Sequence, residues 1–240
     1  MIKKLQNKWT DKLASKMSEP ELLLYRSNLL GSDLRITNFG GGNTSAKIEM
    51  PDTLTGKNQN VLWVKGSGGD LGSMNLDGFS TLYMDKLNKL KELYRGLKYE
   101  DEMVDYLPHC TFNLNPRAAS IDTSLHAFIP NKHVDHTHPD AAIAVACMKN
   151  SKKMTKIIFG EDMAWIEWQR PGFDLGLKLE KIAKSNPKLK GVILGQHGLF
   201  TWGETSKECY ELTLSTIQRA ADWFEKNKTK DCLLYTSPSP

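Results

Sequence analysis

Between Val134 and Met148 the chain changes its period. Val134-Asp135-His136-Thr137-His138 alternates like a strand, and Pro139 with Asp140 suits a helix start for the apolar run Ala141 to Met148. A strand that passes straight into a helix must lay that helix on one face of its own sheet, which restricts the chain to folds with layered sheet and helix. The rest of the sequence repeats the mixture. Ser18 and Glu21 form a capping box with Pro20 in the first turn, Leu22, Leu23, Leu24, Leu29 and Leu30 follow, and Gly31 closes the helix. Thr44 to Glu49 alternates, Val61 to Val64 reads as a strand, and helical periodicity covers Thr81 to Tyr94 and the stretch around Glu100 to Leu107. Gly191–Leu194 and Leu199–Trp202 are apolar strands separated by Gly195-Gln196-His197-Gly198, and Thr205 with Glu208 opens a long amphipathic helix through about Lys226. The class is therefore α/β or α+β, without an internal repeat.

A formal charge of +4 on 240 residues, with 25% charged and 40% hydrophobic side chains, excludes an intrinsically disordered chain and argues against a dedicated nucleic-acid binder. The longest nearly pure apolar run, Ala141 to Met148, is less than half of the roughly 20 residues a membrane span needs. Cys110, Cys147, Cys209 and Cys232 are widely spaced and include no CxxC pair; Cys147 and Cys209, in apolar periodic segments, read as small hydrophobes. With no apolar h-region near Met1, these features suggest a cytoplasmic chain with no membrane partner. Residues 1–230 are expected to form one domain. Thr236-Ser237-Pro238-Ser239-Pro240 carries no element signal, so Asp231 to Pro240 is expected to be a tail outside the fold, and the domain to be incomplete.

Histidines carry the sharpest chemistry. Successive strand side chains point to opposite faces, so His136 and His138, two apart, project their imidazoles to the same side. His197, between glycines in a break between two strands, is a third candidate. Three histidines that leave a coordination position open are the pattern of a catalytic rather than a structural zinc site. His109, His126 and His133 have no partner at ligand spacing and are expected to make single hydrogen bonds. The glycine loops Gly40-Gly41-Gly42-Asn43-Thr44-Ser45 and Gly66-Ser67-Gly68-Gly69 expose backbone N–H groups that suit either tight turns or phosphate oxygens. Neither fits a dinucleotide or P-loop fingerprint. Asp122, within Ser120-Ile121-Asp122-Thr123-Ser124, reads either as a helix N-cap or as a general acid or base.

In this order the pieces resemble the class II aldolase/adducin family, from about Glu21 to Lys226. The most specific parts are Gly42-Asn43-Thr44-Ser45, His136-Thr137-His138-Pro139 and Gln196-His197-Gly198-Leu199. The wording around Ile121 to His126, Val134 to Met148 and Arg170 to Trp202 is most similar to the aldolase part of bifunctional rhamnulose-1-phosphate aldolase/dehydrogenases. The resemblance implies a three-layer α/β/α fold with a mixed, mostly antiparallel sheet, and homo-oligomers, often tetramers. It implies Zn2+, or another divalent metal, on His136, His138 and His197, with Gly42, Asn43, Ser67, Gly68 and Ser120 at sugar-phosphate contacts. Asp122 takes the place of the family's catalytic glutamate, one methylene shorter, and Ile121 stands where a second serine is usual. The activity implied is metal-dependent cleavage of a ketose 1-phosphate, L-rhamnulose 1-phosphate first, to dihydroxyacetone phosphate and L-lactaldehyde. A sugar-phosphate epimerase or dehydratase, a non-catalytic adducin-like module, and an inactive fragment are the alternatives. The strand before Pro139 and the break at His197 are expected to lie side by side.

Overall fold

The computed structural model describes residues 4–227, so the expected tail from Asp231 and Cys232 lie outside the described residues. Among these residues the chain runs α1 (Asp11–Ala14), α2 (Glu19–Gly31), β1 (Asn43–Pro51), β2 (Asn58–Lys65), β3 (Phe79–Tyr83), α3 (Met84–Leu93), α4 (Glu102–Asp105), α5 (Thr123–Phe128) and β4 (His133–Thr137). It continues through α6 (Asp140–Ala146), α7 (Ser151–Phe159), β5 (Met163–Ile166), α8 (Phe173–Ser185), β6 (Gly191–Leu194), β7 (Gly198–Gly203) and α9 (Ser206–Asn227).

The seven strands form one sheet in the order β3-β2-β1-β4-β7-β6-β5. Every neighbouring pair is antiparallel except β5 with β6. The β1–β2 hairpin is set by Asp52, whose Oδ1 accepts the N–H groups of Leu54 and Thr55 at 3.0 and 2.8 Å. Helices cover both faces. Ala142 and Val145 of α6, Phe159 of α7 and Tyr210 and Ile217 of α9 pack with Ile193 and Leu199 on one side. On the other, Leu125 of α5 and Leu175 and Leu179 of α8 pack against Val134, Val192, Leu194, Phe200 and Trp202. Leu87 and Leu90 of α3 extend that layer over Leu62, Val64 and Leu82. The result is an α/β fold with a mixed, mostly antiparallel sheet between helical layers, as the family resemblance implies.

Local expectations hold at most element positions and fail at three. The helix expected over Thr81 to Tyr94 begins only at Met84, because Phe79-Ser80-Thr81-Leu82-Tyr83 is rich in aromatic and β-branched side chains and pairs as β3 along the open edge of β2. Around Glu100 to Leu107 the helix is the single turn α4, followed by a 3₁₀ turn at Leu107–Cys110 that contains Pro108. Cys147 is an exposed C-cap of α6 rather than a core residue, whereas Cys209 is buried. The segment from Ser151 to Ser185, unassigned from sequence, supplies α7, β5 and α8. No helix among the described residues is long and apolar enough to cross a membrane.

Candidate metal centre

Strands β4 and β7 bring the three histidines together. They pair with His136 opposite Phe200 and Thr137 opposite Leu199, and Gly198 opens β7 directly after His197. The turn holding His197 is tight: its N–H donates to Leu194 O at 3.1 Å, and Gln196 before it has φ of 57°, a left-handed conformation rare outside glycine. Gly198 is required by close approach, since a Cβ there would stand 2.8 Å from the Thr137 carbonyl oxygen and 3.0 Å from the His138 ring. The ligand nitrogens of His136, His138 and His197 lie within 4.8 Å of one another. The Nε2 atoms of His136 and His138 are 3.0 Å apart.

The surroundings fix how these rings present themselves. Nδ1 of His136 lies 3.0 Å from Leu199 O, an acceptor only, so Nδ1 carries the proton and Nε2 offers a lone pair to the cluster. Phe200 stacks on the His136 ring at 4.3 Å between centroids, with planes 12° apart. Nδ1 of His138 lies 3.3 Å from Asn38 Oδ1, orienting a second ring in the same manner. Burial, reinforced by the neighbouring imidazoles, pushes His136 well below the ordinary histidine range; burial, His197 and Lys65 bring His138 to about 4, and burial also lowers His197. All three are thus neutral at pH 7, the state in which imidazole binds metal. Three neutral imidazoles converging in a site that disfavours protons suit a divalent cation.

Across the sheet, β1 places Asn43 opposite His136. Cross-strand partners share a face, so Asn43 stands beside the histidines. Gly42 allows this approach: its φ is +74°, and a Cβ would meet the His136 carbonyl oxygen at 2.9 Å. The Asn43 amide, oriented to satisfy its neighbours, donates to Asp122 Oδ2 at 3.0 Å and to Gly42 O at 3.1 Å. Asp122 occupies the N-cap position of α5, but its carboxylate caps nothing. Instead its own N–H donates to Ser120 Oγ at 3.0 Å, and burial raises its pKa against the opposing pull of Lys65. Gly42, Asn43, Ser120 and Asp122 therefore form one cluster.

Ser67 and Gly68 lie in the second glycine loop. Ser67 N–H donates to Ala118 O at 3.0 Å, which ties that loop to the segment leading to Ser120, and Arg117 Nη1 donates to Ser67 O at 3.2 Å. Lys65 is a residue that sequence reasoning missed. It is buried at the end of β2, Asp122 and Asp70 act on it electrostatically, and burial lowers its pKa. The signal was available: one lysine ends the apolar run Val61 to Val64 immediately before Gly66. His126 and His133 make the hydrogen bonds expected of ordinary buried histidines, to Ser45 Oγ at 2.8 Å and to Arg26 Nη1 at 2.8 Å.

Similarity to known proteins agrees with this arrangement. The family described as the Class II Aldolase and Adducin N-terminal domain matches residues 21–223. The chain is 44% identical over 216 residues to a Bacillus subtilis (strain 168) protein named "Uncharacterized oxidoreductase YuxG"; the match covers 90% of this chain but 31% of that protein. The chain thus spans about a third of that curated relative's length. It superposes on the N-terminal class II aldolase domain of a conserved protein from Thermoplasma acidophilum with a TM-score of 0.81 and 32% identity, covering 92% of this chain and 99% of the other. L-fuculose-1-phosphate aldolase from Thermus thermophilus shares the fold, with a TM-score of 0.58 at 12% identity over 88% of this chain and 96% of that one. By the family match across most of its length, the chain belongs to the class II aldolase/adducin family.

Proposed function

We propose that the chain is the aldolase part of a bifunctional protein and cleaves a ketose 1-phosphate, L-rhamnulose 1-phosphate, to dihydroxyacetone phosphate and L-lactaldehyde. The observation that carries this reading is the convergence of His136, His138 and His197 beside the Asn43–Asp122 pair. Residues 1–230 would form this one domain, in a homo-oligomer as the family implies, and the named L-fuculose-1-phosphate aldolase of the same fold supports the substrate class.

The three imidazoles would hold a divalent cation, zinc first, which supplies a Lewis acid for the negative charge that develops as a carbon–carbon bond breaks. The chain's own groups do the rest. When the C3–C4 bond breaks, the C4 hydroxyl loses its proton to solvent and becomes an aldehyde, and the electron pair of the bond stays on C3. One proton leaves and one is taken up, for protonated Asp122 would give its proton to C3 and be reprotonated from solvent. Its raised pKa suits that exchange, because a buried carboxyl nearer to neutrality both gives and takes a proton readily. Asn43 holds Oδ2 of Asp122 in place. Gly42, Asn43, Ser67, Gly68 and Ser120 would take the phosphate, with the buried ammonium of Lys65 beside them. Anchoring a remote phosphate orients the reacting carbons.

The test is product analysis of the zinc-loaded protein on a panel of ketose 1-phosphates. Release of dihydroxyacetone phosphate, fastest from L-rhamnulose 1-phosphate, supports the proposal. An epimerised or dehydrated product, or no cleavage of any member, overturns it.

A further inference from the structure

A groove of about 940 Å³ lies beside the histidine cluster, reaching it at Gly195 and Gln196 of the turn that holds His197. None of the three clustered histidines, Asp122 or Lys65 lines it. Lys149, Lys152 and Lys153 line it from the α6–α7 connection and the start of α7; Trp165, Glu167 and Trp168 line it from the end of β5 and the segment after it. Its volume falls in the range of sites that enclose a small ligand, roughly 300–1,000 Å³.

Three chemistries meet there. Among the described residues no carboxylate forms an ion pair with Lys149, Lys152 or Lys153, whereas Lys156 further along α7 is paired with Glu161 at 3.1 Å. Trp168 is 58% exposed and lines the groove, so part of its indole is open to a ligand. Trp165 is fixed as a wall, its Nε1 donating to Ser151 Oγ at 2.7 Å with Lys152 Nζ 6.0 Å from its ring centroid. Glu167 is the one carboxylate of the lining. Ammonium groups attract phosphate, an exposed indole stacks on a planar base, and a carboxylate accepts hydrogen bonds from sugar hydroxyls.

We propose that this groove binds a nucleoside phosphate, with its phosphates on Lys149, Lys152 and Lys153, its base on Trp168 and its sugar toward Glu167. The charge argues against a second copy of this chain, because a two-fold contact would set lysines against lysines. Glu167 disfavours an acidic peptide. The glycine loops are not involved; recognition is by side chains.

The experiment follows tryptophan fluorescence of the full chain during titration with ATP, adenosine and tripolyphosphate, together with alkylation of the exposed Cys147, which also lines the groove. ATP is expected to quench saturably and to protect Cys147. Adenosine and tripolyphosphate should each bind about tenfold more weakly or worse, and Trp168→Ala and the Lys152→Glu/Lys153→Glu pair should each weaken ATP by about tenfold or more. Both sites are at the surface, so the fold should be unaffected. The proposal is overturned if ATP fails to bind at about 5 mM, a weaker affinity than such sites need. It is equally overturned if tripolyphosphate binds as tightly as ATP, if Trp168→Ala changes nothing, if Cys147 stays unprotected, or if Lys152→Glu/Lys153→Glu alters the oligomeric state, marking the groove as an interface between copies.

Discussion

Asp135 and His136 are neighbours on β4 that face opposite sides of the sheet: His136 joins the histidine cluster, while Asp135 is ion-paired with Arg26 of α2 at 2.9 Å, both fully buried. The pair is further tied down. Thr213 Oγ1 of α9 donates to Asp135 Oδ2 at 3.0 Å, and Arg26 donates to Ser45 O at 2.7 Å and to Ser206 Oγ at 3.1 Å. Removing one partner would strand a buried charge. Arg26→Met is expected to destabilise the protein by about 3–5 kcal/mol, and adding Asp135→Leu to recover stability relative to that single variant, by urea denaturation. A double variant less stable than Arg26→Met would contradict this.

Asn38 touches no metal-binding nitrogen directly; it acts on the far nitrogen of His138. Asn38→Ala is expected to weaken zinc binding by about 10–100-fold without unfolding the protein, measured by competition with a chromophoric chelator. Unchanged affinity would show that His138 needs no help in orienting.

Asp122 should matter to turnover and not to metal. Asp122→Asn keeps the shape and the contact with the Asn43 side but cannot exchange a proton. Turnover is expected to fall by about 10²–10⁴-fold at unchanged zinc content. A wild-type rate would assign Asp122 to structure alone.

Acid should unfold the protein through its buried histidines. Burial holds His126 at about 3 and His133 at about 2, against 6.5 ordinarily. The unfolded chain therefore takes up protons first as the pH drops, so the stability from keeping these rings neutral is full above pH 6.5 and is lost as the pH falls toward those lower values. His126→Gln, which does not titrate, should remove one proton from this dependence and flatten the stability curve between about pH 5.5 and 3.5 by about 1.4 kcal/mol per pH unit. An unaltered slope in denaturation curves would contradict the assignment.

The parts legible in the sequence were those written in local pattern. The i, i+2 spacing of His136 and His138 on a strand, the glycine break around His197, and the capping signal before α9 each depend on residues a few positions apart. That capping signal is even shifted in detail: Glu208 N–H donates to Thr205 Oγ1 at 3.1 Å, but its carboxylate accepts from Glu204 N–H rather than from Thr205. What pattern could not show depends on distant contacts. Arg26 sits among the leucines of α2 like any surface charge, and only Asp135, far along the chain, explains its burial. Lys65 and Asn38 acquire meaning from Asp122 and His138 in the same way. Phe79–Tyr83 carries strand-forming side chains, but the edge of β2 that they pair with lies outside the segment's own pattern.

The central claim is that three imidazoles hold one divalent cation. Equilibrium dialysis of the chelator-stripped protein against zinc, followed by elemental analysis, tests it most directly. One zinc per chain is expected for the wild type, and essentially none for His136→Ala with its fold intact by circular dichroism. Stoichiometric zinc on that variant, or none on the wild type, would contradict the account.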